Sequence, residues 1–136
     1  MMERLVIAVS GQGLHSITST ISNSIASLLP GQDGLCTLFI QHTSASLLIQ
    51  ENYDDSARID LERWLNRLVP ENDPLYTHTM EGADDMPAHI KAALTASSLA
   101  IPVLNGQLAL GTWQGIYLWE HRHAASKRTV LLHLSK

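Results

Sequence analysis

The sequence has one cysteine, Cys36, so an internal disulfide framework is excluded. It has no apolar run approaching the ~20 residues of a membrane span, so no membrane function is expected. Neither sign of charge dominates: the formal net charge is -4, which gives no reason to expect nucleic acid or an anionic membrane as a partner. The opening Met1-Met2-Glu3-Arg4 lacks the layout of a signal peptide, and a soluble cytoplasmic protein is expected. There is no internal repeat, low-complexity tract or linker. What remains is a chain of 136 residues, 45% apolar, suited to one domain over 1–136. At that length folding buries roughly 68–70% of the unfolded surface, enough for a true core. Histidine is abundant, with seven against nine Lys plus Arg, and this hints at metal or acid–base chemistry.

The order of patterns predicts an α+β fold with most later strands antiparallel. Leu5 to Val9 is β-branched and apolar and reads as a strand. Ile21, Ile25, Leu28 and Leu29 follow helical spacing over Thr18 to Leu29, with Thr18 placed as a cap and Pro30-Gly31 as the stop. Gly34 to Gln41 is a strong strand, followed by the polar turn His42-Thr43-Ser44-Ala45-Ser46 and the apolar run Leu47-Leu48-Ile49. Ile59, Leu61, Trp64, Leu65 and Leu68 form a helical stripe over Asp54 to Leu68, ended by Pro70. After a loop from Glu71 to Asp84, Asp85-Met86-Pro87 opens a short helix to Leu94, with Asp85 as its cap. Ser98–Leu104 and Leu108–Leu110 read as strands joined by the hairpin signal Asn105-Gly106. Gly115–Trp119 and Thr129–Leu134 complete the strands.

Four places hold chemistry-bearing side chains. His42 stands where a buried strand meets a turn with three hydroxyls, Thr43, Ser44 and Ser46. Such a turn can offer hydroxyls and N–H groups to an oxyanion, or simply satisfy its own backbone. The segment from His78 to His89 holds two imidazoles and three carboxylates, Glu81, Asp84 and Asp85. Asp85 and His89 are spaced to share a helix face. Histidines converging from different elements, with His42 as a third, would suit a divalent metal, while helix capping is expected of at least one of the two aspartates. Around Asn52, the residues Asp54 and Asp55 favour the helix dipole, and Asp60 faces either a site or solvent. Glu120-His121-Arg122-His123 follows a central strand and offers an acid, imidazoles and a guanidinium for anion and proton chemistry. Cys36 lies in an apolar strand and reads as inert core. Gly111-Thr112-Trp113-Gln114 is a poor hairpin turn, read either as a bulge with Trp113 in the core or as one wall of a site.

Ser98-Leu99-Ala100-Ile101-Pro102-Val103, Gly106 and Gly111-Thr112-Trp113-Gln114-Gly115-Ile116 together resemble the signature of the YjbQ-like family, also called the secondary thiamine-phosphate synthase family. The resemblance continues through His42-Thr43-Ser44-Ala45-Ser46, Glu51-Asn52, Glu81-Gly82, Asp85-Met86-Pro87-Ala88-His89-Ile90-Lys91 and Glu120-His121-Arg122, and spans essentially the whole chain. The family more often has a second threonine where Ser44 stands, and the hydroxyl is kept. The resemblance implies a compact α+β domain of sandwiched, largely antiparallel sheets with two or three helices, assembled as a homotrimer. It implies a histidine site at His42, His78 and His89. It also implies a low activity that joins a hydroxymethylpyrimidine diphosphate to a thiazole phosphate and releases diphosphate.

The expectation is therefore an enzyme for a phosphorylated or otherwise anionic small molecule. His42, His78 and His89 are expected to hold a divalent metal, zinc by preference, that polarises a phosphoryl oxygen or activates water. Ser44, Ser46, Gln114 and Arg122 are expected to hold the anion, with Asn52, Glu81 and Thr112 completing the substrate contacts and Glu120 as base. The alternatives are a trimeric ligand-binding or scaffold protein with a structural metal, and a metal-dependent phosphatase or hydrolase that differs only in attacking water.

Overall fold

The structure, a computed structural model, describes residues 1–136. Eight strands and three helices follow in the order β1 Met2–Val9, β2 Gly13–Ser16, α1 Thr18–Leu28, β3 Gly34–Ile40, β4 Ala45–Glu51, α2 Asp55–Leu68, α3 Asp85–Leu94, β5 Ser98–Leu104, β6 Gln107–Leu108, β7 Gln114–Glu120 and β8 Ser126–Ser135. The strands form two antiparallel sheets, ordered β1-β8-β3-β5-β6 and β2-β7-β4. This is the expected α+β sandwich with three helices.

The core follows from period-2 alternation on strands of both sheets. Cys36, Leu38 and Ile40 of β3, Ile101 and Val103 of β5, and Val130, Leu132 and Leu134 of β8 point inward from the large sheet. Ala45 and Leu47 of β4, with Ile116 and Leu118 of β7, meet them from the small one. Ile21 and Ile25 of α1, with Leu29 at its C-cap, close the same core. The other face of β7, Tyr117 and Trp119, packs with Leu14, Leu65 and Val69 in a second cluster beneath α2. Strand β7 is thus covered on both sides, which is why its sequence is apolar without alternation.

Several local readings are corrected by the structure. Strand β2 was not expected, because four residues beginning with glycine carry too little pattern. β1 and β8 begin earlier, at Met2 and Ser126, where polar residues alternate toward solvent. Only Gln107–Leu108 pairs after the hairpin, although Asn105 and Gly106 do take the positive φ angles of 52° and 77° that a tight turn requires. Thr18 does not cap α1: Ile17 holds the cap position, and the Thr18 hydroxyl instead accepts from Ile116 N–H at 2.9 Å, pinning the helix to β7. Asp54 caps α2 through Ser56 N–H at 2.9 Å. Trp64 and Leu68 are exposed, so the buried stripe of α2 narrows to Leu65 with partial burial of Ile59 and Leu61.

Leu118 is fully buried between the sheets. Leu118→Ala is expected to lower unfolding free energy by about 2–5 kcal/mol, read from urea unfolding, with the denaturant slope unchanged.

Candidate functional site

Residues from four segments meet at the N-terminal end of α3. The Asp85 carboxylate, buried, lies with Oδ2 at 2.7 Å from His78 Nε2 and 3.2 Å from His89 Nε2. His89 reaches it as the i+4 neighbour on α3, as the spacing predicted. The ligand atoms of His78, Asp85 and His89 all lie within 4.8 Å of one another. Arg122, from the loop after β7, donates from Nη1 to Asp85 Oδ1 at 2.6 Å, from Nε to Asp84 Oδ2 at 3.1 Å and from Nη2 to the Glu81 carbonyl at 2.9 Å. Burial raises the Asp85 pKa. Hydrogen bonding from His78 and the charge of Arg122 outweigh it, and the carboxyl is held below its ordinary range.

The aspartates at the start of α3 therefore do other work than capping. Asp84 occupies the cap position without a side-chain cap bond. Its Oδ2 accepts from His123 N–H at 2.9 Å and from Arg122. Arg122 was expected to grip an anion. Its guanidinium is instead committed to Asp84 and Asp85, and the hydrogen bond to Asp84 leads the causes that raise its pKa. Glu81 contributes its backbone carbonyl rather than its side chain.

The tautomer of His89 is fixed by geometry. Its Nδ1 lies 3.0 Å from the Thr43 carbonyl oxygen, which can only accept, so Nδ1 carries a proton. In the neutral ring Nε2 then presents a lone pair to the Asp85 carboxylate. Two lone pairs at 3.2 Å repel unless a proton or cation lies between them.

His42 does not join this group. Thr129 N–H donates to its Nε2 at 2.8 Å, and Arg128 Nη1 stands 3.2 Å from its Nδ1. Nε2 accepts, so in the neutral ring Nδ1 carries the proton, and no free lone pair turns toward His78 and His89. Burial and the Arg128 charge lower the His42 pKa and keep the ring neutral. Within the chain Asp85, rather than His42, stands with His78 and His89 in the group whose ligand atoms could hold a metal.

Glu120 is likewise not a base. It is fully buried. Arg128 grips it bidentately, with Nε at 2.6 Å from Oε1 and Nη2 at 2.5 Å from Oε2. Ser126 Oγ and the backbone N–H groups of His121 and Arg122 fill the rest of the carboxylate, each at 3.0 Å. Burial raises its pKa, and these donors, Arg128 first, reverse the shift and hold it low. No lone pair is left to take a substrate proton. Ser44 Oγ accepts from Arg128 Nη2 at 2.9 Å and keeps its own hydrogen, whereas Ser46 is buried with Oγ at 2.9 Å from His121 Nε2 and is not free for an anion.

The Gly111–Gln114 segment is neither core bulge nor wall of the histidine site. Gln114 closes its own turn, its Oε1 accepting from Gly111 N–H at 2.7 Å. Thr112 and Trp113 are exposed, and Trp113 meets Tyr53 edge-on at 4.9 Å. Asn52 joins this end through Nδ2 to the Gln114 carbonyl, 3.3 Å. Strand β7 separates Gln114 from Glu120 by six residue steps, or about 20 Å. Asn52, Thr112 and Gln114 therefore sit at the opposite end of the strand from Arg122.

Arg128, the hub of the Glu120 network, was missed as a functional residue. Its signal was present: it shares the inward phase of Val130, Leu132 and Leu134. Cys36 is buried core as read, and burial pushes its thiol up to about 11.

A two-sheet α+β sandwich carrying a His-Asp-His cluster at one strand end defines the class of protein. The family model described as "UPF0047 protein YjbQ-like" matches residues 3–136, and the chain belongs to that family. It is 50% identical over 133 residues to the UPF0047 protein sll1880 of Synechocystis, covering 98% of this chain and 90% of that one. It is 46% identical over 127 residues to the UPF0047 protein YjbQ of Escherichia coli O157:H7, covering 93% and 91%. A solved structure of a YjbQ/UPF0047 family protein from Clostridium acetobutylicum superposes with a TM-score of 0.88 at 32% identity, over 98% of this chain and 99% of that one. The conserved hypothetical protein TT1486 from Thermus thermophilus gives 0.87 at 32% identity, covering 98% and 99%.

Two tests follow from the buried network. Glu120→Gln leaves Arg128 buried without its counter-charge and is expected to cost about 3–5 kcal/mol, whereas Glu120→Gln combined with Arg128→Met should recover most of that loss in denaturant unfolding. Burial and the charge of Lys91 lower the pKa of His121 from 6.5 to about 3. Between those values the unfolded chain binds a proton that the folded chain refuses, so stability falls as pH drops from 6.5 toward 3. His121→Gln should flatten that limb of the melting-temperature profile. Loss of the Glu120 carboxylate's contribution begins below the ordinary carboxylate range and lies at the acid end.

Proposed function

We propose that the chain is a metal-dependent enzyme for a phosphorylated or otherwise anionic small molecule, with His78, Asp85 and His89 holding a divalent ion, zinc by preference. The observation that carries this reading is the convergence of the ligand atoms of His78, Asp85 and His89 within 4.8 Å of one another, with the His89 ring oriented by the Thr43 carbonyl. That outer hydrogen bond is the arrangement by which metal-binding histidines are set. Two imidazoles and a carboxylate suit zinc and leave coordination positions open. A tetrahedral ion with bonds of about 2.1 Å holds its ligands about 3.4 Å apart. Two of the three pairs already lie within that separation, at 2.7 and 3.2 Å.

When bound, the metal supplies Lewis acidity toward a phosphoryl or similar oxygen. Arg122 fixes Asp85 and offsets the local negative charge of Asp84 and Asp85. Thr43 keeps the proton of His89 on Nδ1. A weak thiamine-phosphate synthase-like transferase activity belongs to this proposal as a secondary reaction, and hydrolysis of a phosphate ester would use the same cluster with water as acceptor.

A second reading, a trimeric binding or scaffold protein with a structural metal, is favoured by the outer face of the five-stranded sheet. Val6, Leu35, Phe39 and Leu104 are exposed there, in the phase opposite to the core. Assembly as a homotrimer would cover such a face. Sedimentation should then show a trimer that Phe39→Lys dissociates.

The metal reading is tested by calorimetric titration of chelator-treated protein with zinc. His89→Ala and Asp85→Asn are each expected to weaken binding at least about 100-fold, and affinity should fall in acid as protons compete for the imidazoles. Full zinc content and full activity in His89→Ala would overturn it. If chelation collapses the melting temperature while ligand response persists, the scaffold reading holds instead.

A further inference from the structure

Strand β7 turns Trp119 away from the main core, and His121 follows two positions later in the same phase. Together they back a cavity of about 320 Å³ between α2 and the turn leading into β2. Gln12, Ile59, Arg63 and Asn66 line the rest, with Gly13 and Glu62 at its edge. None of these is a member of the His78–Asp85–His89 cluster.

The polar groups of the lining are oriented by bonds made behind them. Lys91 Nζ donates to Asn66 Oδ1 at 2.6 Å, which turns the Asn66 amide nitrogen the other way. That nitrogen donates to Gln12 Oε1 at 3.3 Å, and Gln12 Nε2 donates to the His121 carbonyl at 3.3 Å. Each amide nitrogen carries two hydrogens and spends one. Arg63 forms no ion pair, while the Glu62 carboxylate is already engaged by Leu14 N–H at 2.7 Å and by Arg58 at 3.6 Å. The lining therefore has donors in excess.

His121 adds a second, independent sign of a ligand. The residue is 1% exposed, and its ring bonds to Ser46 Oγ through Nε2 alone. No fully buried side-chain nitrogen or oxygen lacks a partner, so the unbonded Nδ1 must reach solvent, and the cavity that the ring lines is its route. Burial keeps the imidazole neutral. Ile59 and the small exposed part of Trp119 give the cavity its apolar side.

We propose that this cavity binds a small planar carboxylate, its ring against Ile59 and the edge of Trp119 and its charge on Arg63 and the spare amide hydrogens of Gln12 and Asn66. The bidentate fit of guanidinium to carboxylate sets the head group. The cavity volume and apolar wall restrict the body to about one ring.

The test is titration of the full chain with benzoate, followed by calorimetry and by the ring-nitrogen NMR signals of His121. Saturable binding at about 1 mM or tighter, with the His121 signals displaced, is expected. Benzamide, of the same shape without the charge, and the surface variant Arg63→Ala should each bind at least about tenfold more weakly. An unchanged melting temperature in Arg63→Ala shows that the variant is folded. Absence of saturation by about 10 mM benzoate overturns the proposal, as does equal binding by Arg63→Ala or by benzamide.

Discussion

The buried ion pair between Glu120 and Arg128 ties the two sheets together at one end of the sandwich. Glu120 ends β7 in the small sheet, and Arg128 stands early in β8 of the large one. Both point into the space between sheets that Ile116, Leu118, Val130 and Leu132 fill farther along. A carboxylate taken fully out of water is tolerated only when its lone pairs are filled, and here five donors fill them. The guanidinium then donates to Ser44 Oγ beside the His42 ring, which sets the course of the turn between β3 and β4.

The His-Asp-His cluster inherits its position from that pair. Two of the donors to Glu120 are the backbone N–H groups of His121 and Arg122, so the chain leaving β7 is fixed where Arg122 begins. Arg122 then anchors Asp84 and Asp85 at the start of α3. From the other side, Arg128 holds Ser44, and the adjacent Thr43 carbonyl orients His89. The cluster is therefore braced from both strands that the ion pair joins, although it shares no residue with it.

Much of this was legible in the sequence where one physical effect dominated. Helix α1 is marked by apolar period, α3 by the proline in its first turn, β3 and β7 by apolar runs and β5 by the turn chemistry at Asn105-Gly106. The pairing of Asp85 with His89 followed from helical spacing alone. Where two effects compete, the reading went astray. Aspartates ahead of a helix ordinarily cap it, yet Asp84 and Asp85 meet a guanidinium that binds them more strongly than backbone N–H groups do. His42, Ser46 and Glu120 carry reactive groups at suggestive places, but burial and neighbours had already used those groups. Long-range partners such as Arg128 with Glu120 leave no local mark, except that a charged residue in the inward phase of a strand must find an opposite charge. Gly111 to Gln114 drew attention through its odd composition, and the length of β7 put it far from the histidines.

The double burial of β7 also bears on how the chain tolerates insertions. Residues 116, 118 and 120 face one compartment, and 117, 119 and 121 face the other. A single residue added or lost within the strand would exchange the two sets. The carboxylate would then lie beneath α2 without its guanidinium, and the imidazole would lie between aliphatic side chains opposite an unpaired guanidinium. Length variation is therefore confined to the turns at either end of β7, and the strand itself admits substitutions only.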